Sequence, residues 1–149
     1  MRQIPLLELN DCRALVSAGQ AEADRRGAVV SLAVVDAGGH PLLLERRDGA
    51  SPASAAAALA KARMAALNGK ATADLEAAIN GPRPALQQLA ATLGPPAAAM
   101  AGGLPLLLNG HCLGAIGISG MTPDVDTAIA TAALTAFTGA NPAGGGAGG

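Results

Sequence analysis

Residues 28–40 read AVVSLAVVDAGGH. The first eight are short, rich in Val and almost continuously apolar, the pattern of a strand covered on both faces. Asp36-Ala37-Gly38-Gly39 then reads as a turn, because a Gly pair supplies the positive φ that tight hairpins need. Asp36 closes that turn with its own side chain. His40 to Arg46 (HPLLLER) returns as a second strand, and Pro41 near its start suits a sheet edge. A second hairpin lies at residues 104–108 (LPLLL) and 111–119 (HCLGAIGIS), joined by Asn109-Gly110, the strongest two-residue hairpin signal. In its second strand, strict alternation puts Cys112, Gly114, Ile116 and Ile118 on one face. His111, Leu113, Ala115 and Gly117 take the other, and the Gly and Ala positions mark the close approach of another backbone or a ligand. Hairpins imply antiparallel pairing and disfavour a doubly wound parallel sheet, so the pattern predicts an α+β fold with a central antiparallel sheet.

Helices fill the remainder. Asn10 is the expected N-cap of the first, with Cys12, Leu15, Val16, Gly19 and Ala23 on its apolar face and Gly27 as its stop. Ser51-Pro52 opens a second, Ala-rich helix that runs to Leu67 and ends at Asn68-Gly69. So many Ala side chains allow it to lie very close to the sheet. Thr72 is expected to cap a short helix over residues 73–79, and Pro84 to start another that ends near Leu93. Thr122-Pro123 caps the last helix, with Asp124 and Asp126 in its first turn, Phe137 near its end and Gly139 as its stop. Residues 1–139 read as one domain, and the Gly/Ala-rich run 140–149 as a disordered tail.

Composition narrows the function. Ten Lys+Arg stand against eleven Asp+Glu, and the chain has no Trp, no Tyr and one Phe. It offers neither a basic field for a phosphate backbone nor an aromatic platform for bases, which argues against nucleic acid as a partner. No apolar run approaches the roughly 20 residues of a membrane span. The first residues lack the apolar core of a secretion signal, so a soluble, cytoplasmic protein is expected. Two Cys so far apart, Cys12 and Cys112, read as free thiols rather than a disulfide framework.

Several segments together resemble a known family. The hairpin Val30 to His40, the following Arg46-Arg47-Asp48-Gly49-Ala50, the helix segment Ala60-Lys61-Ala62-Arg63, Gly102-Gly103-Leu104-Pro105-Leu106 with Gly110, and Gly114 to Gly120 are similar to the GlcG/HbpS-like family. It is also called DUF336 or the haem-degrading domain, and it includes the C-terminal domain of PduO. The resemblance spans roughly residues 5–137. It implies a profilin-like fold with a five-stranded antiparallel sheet flanked by helices, and a homo-oligomer. It also implies a small-molecule ligand, haem or another hydrophobic compound. In that arrangement the Asp36–Gly39 and Asn109–Gly110 turns share one end of the sheet, and His40 and His111 share it too. The PduO-type haem ligand is a His near the start of the first helix. Here Asn10, Asp11, Cys12 and Arg13 stand in that region, where Cys12 is a candidate substitute thiolate ligand.

The candidate chemical groups are few. Lys61 is a lone charge among Ala; facing the sheet it serves as a base or an anion anchor. Glu45, at the end of the second strand, is a carboxylate base or a partner for Lys61. His111 and His40 are the only histidines and can act as bases or ligands. Lys61, Glu45 and His111 are therefore the candidate catalytic set. His40, Arg63, Met64, Met100, Gly102 and Gly103 are the candidate ligand-binding set. No zinc-type Cys/His spacing, nucleophile elbow, Walker loop or dinucleotide fingerprint is present, and no metal ligand set is predicted. Three readings remain open: a small-ligand-binding oligomer, a cofactor-independent isomerase, lyase or cyclase on the same scaffold, and a structural or regulatory interaction module.

Overall fold

The computed structural model describes residues 1–140; apart from Ala140, the expected tail over 140–149 lies outside the described residues. The elements run α1 (Leu9–Arg25), β1 (Ser31–Asp36), β2 (Pro41–Arg46), α2 (Pro52–Asn68), α3 (Thr72–Ile79), a 3-10 turn (Pro84–Gln87), α4 (Gln88–Leu93), β3 (Gly103–Leu108), β4 (His111–Ser119) and α5 (Pro123–Ala140). The sheet is antiparallel in the order β2-β1-β4-β3. Among the described residues it has four strands, not five. The two hairpins supply all four, and the long stretch between α2 and β3 is taken up by α3, the 3-10 turn, α4 and coil.

Three layers result. On one face of the sheet Leu32, Val34, Ile116 and Ile118 pack with Leu15 and Val16 of α1 and Ile129 of α5, all fully or almost fully buried. Each such side chain contributes about 1.5–3 kcal/mol on burial. The other face is built from Ala33, Val35 and Ala115 against Ala58, Ala62 and Ala65 of α2. Small side chains bring α2 so near that a Cβ at Gly117 would fall on the Ala58 carbonyl, and one at Gly103 on the Lys61 carbonyl. Between these layers the Ser31 and Ser54 hydroxyls bond each other at 2.7 Å.

Local chemistry explains where elements begin, and it corrects the reading in four places. Helix α1 starts earlier than Asn10: its N-cap is Glu8, whose N–H donates to the Asp11 carboxylate at 2.8 Å. Thr72 does not cap α3. Its hydroxyl is taken by the Gly103 N–H at 2.9 Å, so Ala71 is the N-cap. Gly139 does not stop α5, which runs to Ala140. Strand β4 does not alternate strictly, because the pairing with β3 slips between Leu106 and Leu107 and leaves Leu113 unpaired. As a result Cys112 turns toward α2, its thiol donating to the Ala66 carbonyl at 3.5 Å. Leu113 joins Ile116 and Ile118 on the opposite face. Ser51 does cap α2, accepting from the Ser54 N–H at 3.2 Å, and Gly69 ends it in a left-handed conformation. Asn109 and Gly110 have φ of 50° and 78°, the two positive values of a type I′ turn.

Candidate functional site

The turn after β1 is held by one carboxylate. Asp36 Oδ1 accepts the backbone N–H of Gly38 at 2.9 Å and that of His40 at 2.9 Å. The His40 ring folds back onto the same group, with Nδ1 at 3.1 Å from Oδ1 and 3.2 Å from Oδ2. Partial burial works against ionisation of Asp36, but the His40 N–H, the His40 ring and the Gly38 N–H outweigh it. The carboxyl is held below its ordinary value. A carboxylate on Nδ1 favours, in the neutral ring, the tautomer with its proton there and a lone pair on Nε2.

That ring borders a groove of about 460 Å³, within the range of roughly 300–1,000 Å³ usual for small-ligand sites. Leu6, Leu7, Leu42 and Leu113 supply its apolar wall, and residues 36–38 with His40 its polar rim. Leu7, Leu42 and Leu113 belong to or pack on the core between the sheet, α1 and α5. The groove is thus an open end of that core. Asp36 pairs with Gly114 of β4, which sets this turn beside the start of β4, as the family resemblance implies.

The other candidates lie elsewhere. Lys61 is buried and faces the sheet. Its Nζ donates to the Ile118 carbonyl at 3.0 Å and to Asp126 Oδ2 at 3.2 Å, and Asp126 Oδ1 accepts the Met121 N–H at 3.0 Å. The pair ties α2 to the end of β4 and the start of α5. Glu45 does not pair with Lys61. It bonds Gln20 of α1, on the far side of the sheet. His111 begins β4, seven residues from Ile118, or about 23 Å along the strand. The structure therefore does not bring Lys61, Glu45 and His111 together.

Of the expected ligand-binding residues, His40 alone lines the groove. Arg63 donates to the carbonyls of Leu93, Gly94 and Pro96 at 3.0, 2.6 and 2.8 Å, clamping the loop after α4. Met64 is fully buried, whereas Met100 is exposed. Gly102 and Gly103 receive protein rather than a ligand: a Cβ at Gly102 would meet the Ile118 carbonyl and Lys61 Nζ, and one at Gly103 the α2 backbone. Cys12 is fully buried, and burial followed by the nearby Asp11 charge pushes its thiol up, away from the thiolate a metal would need. Among the described residues, no three His, Cys, Asp or Glu side chains gather as a metal-holding group, and no helix is long and apolar enough to cross a membrane.

Sequence reasoning missed Asp126 as the partner of Lys61, and Leu6, Leu7 and Leu113 as groove wall. Asp126 was legible in principle. It lies with Ile129, Ala130 and Ala133 on one buried stripe at helical spacing. A carboxylate on such a stripe calls for a buried cation. The groove wall was not legible, because the slip in β4 reverses the side on which Leu113 lies.

Comparisons with known proteins agree with this architecture. The family described as "Haem degrading protein HbpS-like" matches residues 7–135. Protein GlcG of Escherichia coli is 36% identical over 119 residues, covering 80% of this chain and 85% of that protein. The solved structure of Klebsiella pneumoniae ORFY, of family DUF336, superposes with a TM-score of 0.83 at 29% identity, covering 93% of this chain and 94% of that one. A solved PduOC:heme complex gives a TM-score of 0.80 at 29% identity, covering 89% and 95%. On the extent of the family match and the identity to GlcG, the chain belongs to the HbpS-like family.

Proposed function

We propose that this protein binds a small, flat, hydrophobic ligand of the haem class in the groove beside the Asp36–His40 turn. One observation carries the reading: an imidazole at the rim of an apolar groove, held through Nδ1 by a carboxylate, with no hydrogen bond to Nε2 among the described residues. A carboxylate behind a histidine fixes its tautomer and raises its basicity as a metal ligand. The donor set thus fits a haem-type group: His40 would hold the iron, and Leu6, Leu7, Leu42 and Leu113 would exclude water from one face. The bound group would supply the iron and its redox chemistry, and the chain the orientation and the apolar wall. The PduOC:heme complex among the structural neighbours supports the same ligand class. Cys12, buried in the core, is not the axial ligand in this reading.

The same proposal includes self-association. Leu44 of β2 and Leu107 of β3 stand exposed on the two edge strands of the sheet, and a second copy would cover such an edge. It also places the protein in the cytoplasm, where the free thiols of Cys12 and Cys112 persist.

Haemin titration followed by visible absorption tests the ligand. The wild-type protein should give a saturable, stoichiometric shift of the main porphyrin band. His40→Ala should lose it, while His111→Ala and Cys12→Ala retain it. A His40→Ala protein that binds like wild type would overturn the assignment.

A further inference from the structure

Gly38 and Gly39 occupy adjacent positions for different reasons. Gly39 has φ of 79°, a backbone conformation that side chains disfavour, and a Cβ there would press on Arg63 Cγ at 2.8 Å. Gly38 lies outside the left-handed region, so its backbone would accept Ala. What a Cβ at Gly38 would meet is the imidazole: His40 Cε1 at 2.8 Å and Nδ1 at 2.9 Å, with Asp36 Oδ1 next at 3.4 Å. No backbone atom is among these neighbours. The fold does not need Gly38; the folded-back ring does.

We propose that Gly38 is the positioning residue for His40: a missing side chain lets the imidazole lie over the turn, where Asp36 takes Nδ1 and leaves Nε2 for a ligand. The ring has little else to hold it, since the His40 side chain is 79% exposed. An exposed imidazole samples several rotamers, and ordering it on binding costs affinity. Seated on Gly38, the ring is ordered before the ligand arrives. The inference deepens the proposed groove function and rests on it for its ligand, but the state of the ring can be read without any ligand.

The test therefore has two parts. In the ligand-free protein, 15N NMR of the imidazoles reports which ring nitrogen carries the proton, with His111 as the internal reference. Wild-type His40 should be the Nδ1–H tautomer. Gly38→Ala should move it toward the mixed signals of a free ring, with the melting temperature unchanged. Haemin titration should then show Gly38→Ala weakened about 10-fold, the lower end for losing a ligand's supporting contact. Gly38→Ala combined with His40→Ala should bind no more weakly than His40→Ala alone. An unchanged His40 tautomer in Gly38→Ala overturns the inference. So does wild-type haemin affinity in Gly38→Ala when His40→Ala is weakened. If wild-type protein binds no haemin, the groove function falls, and the tautomer still decides the role of Gly38.

Discussion

Asp36 and Lys61 are both held by polar contacts, but their surroundings make different tests. Asp36 is partly exposed, and its carboxyl is held below the ordinary value of 3.8 by the hydrogen bonds it accepts. A depressed native value means that the unfolded chain takes up the proton more readily. The stability contributed is therefore present above the ordinary value and lost as pH falls through the lowered one. Asp36→Asn keeps the size and one acceptor oxygen, so its deficit against wild type should be clear at neutral pH and shrink on acidification. Denaturation midpoints across that range check this, and a constant deficit would contradict it. Lys61 and Asp126 are 5% and 3% exposed. Removing one partner leaves a buried charge, so Lys61→Met should cost about 3–5 kcal/mol. Lys61→Met with Asp126→Asn should cost less than the two changes summed, as read by chemical denaturation. Asp36 was legible because an Asp at the head of a Gly-rich turn acts within its own few residues. The role of Asp126 depends on a helix 65 residues away in sequence.

At the level of elements, the turns came through, whereas several helix caps and the phase of one strand did not. Both hairpins were readable, since Asn109-Gly110 and the Asp36–Gly39 turn carry their conformations in their own residues. The closeness of α2 to the sheet followed from its run of Ala. The phase of β4 could not be read, because the irregularity that turns Cys112 and Leu113 around is set by the partner strand β3. The fifth strand was expected from family likeness alone, and among the described residues no further segment pairs into the sheet. The α2 layer offers the sharpest test of packing. Gly117 has an ordinary backbone conformation, so a Cβ there acts only by steric contact, against the Ala58 carbonyl and the Ala62 N–H of the helix itself. Backbone cannot rotate away as a side chain can. Gly117→Ala should therefore destabilise the protein by about 3 kcal/mol, the upper end for overpacking. A calorimetric melt indistinguishable from wild type would show that α2 sits further from β4 than described.

Across the whole molecule, the two polar constellations lie at opposite ends of β4. The His40 groove opens from the layer of α1 and α5, beside Gly114 at the start of β4. Lys61 and Asp126 tie α2 to α5 at Ile118, four residues or about 13 Å further along the strand. One end of the molecule is thus exposed and lightly held, and the other is dry and cross-tied. This arrangement discriminates between a ligand-binding protein and an enzyme that uses Lys61 as its base. If the groove is the site, stability and binding should respond to different residues. Asp126→Asn should lower the denaturation midpoint yet leave haemin affinity unchanged, since it alters nothing that lines the groove. His40→Ala should do the reverse, because its exposed ring supports only the turn. A saturating ligand at about 100 times its dissociation constant adds about 2.7 kcal/mol to stability. Melting with and without haemin would therefore show the loss in His40→Ala as a missing upward shift, and its survival in Asp126→Asn as a shift from a lower baseline. A shift abolished in Asp126→Asn and kept in His40→Ala would move the site to the buried pair.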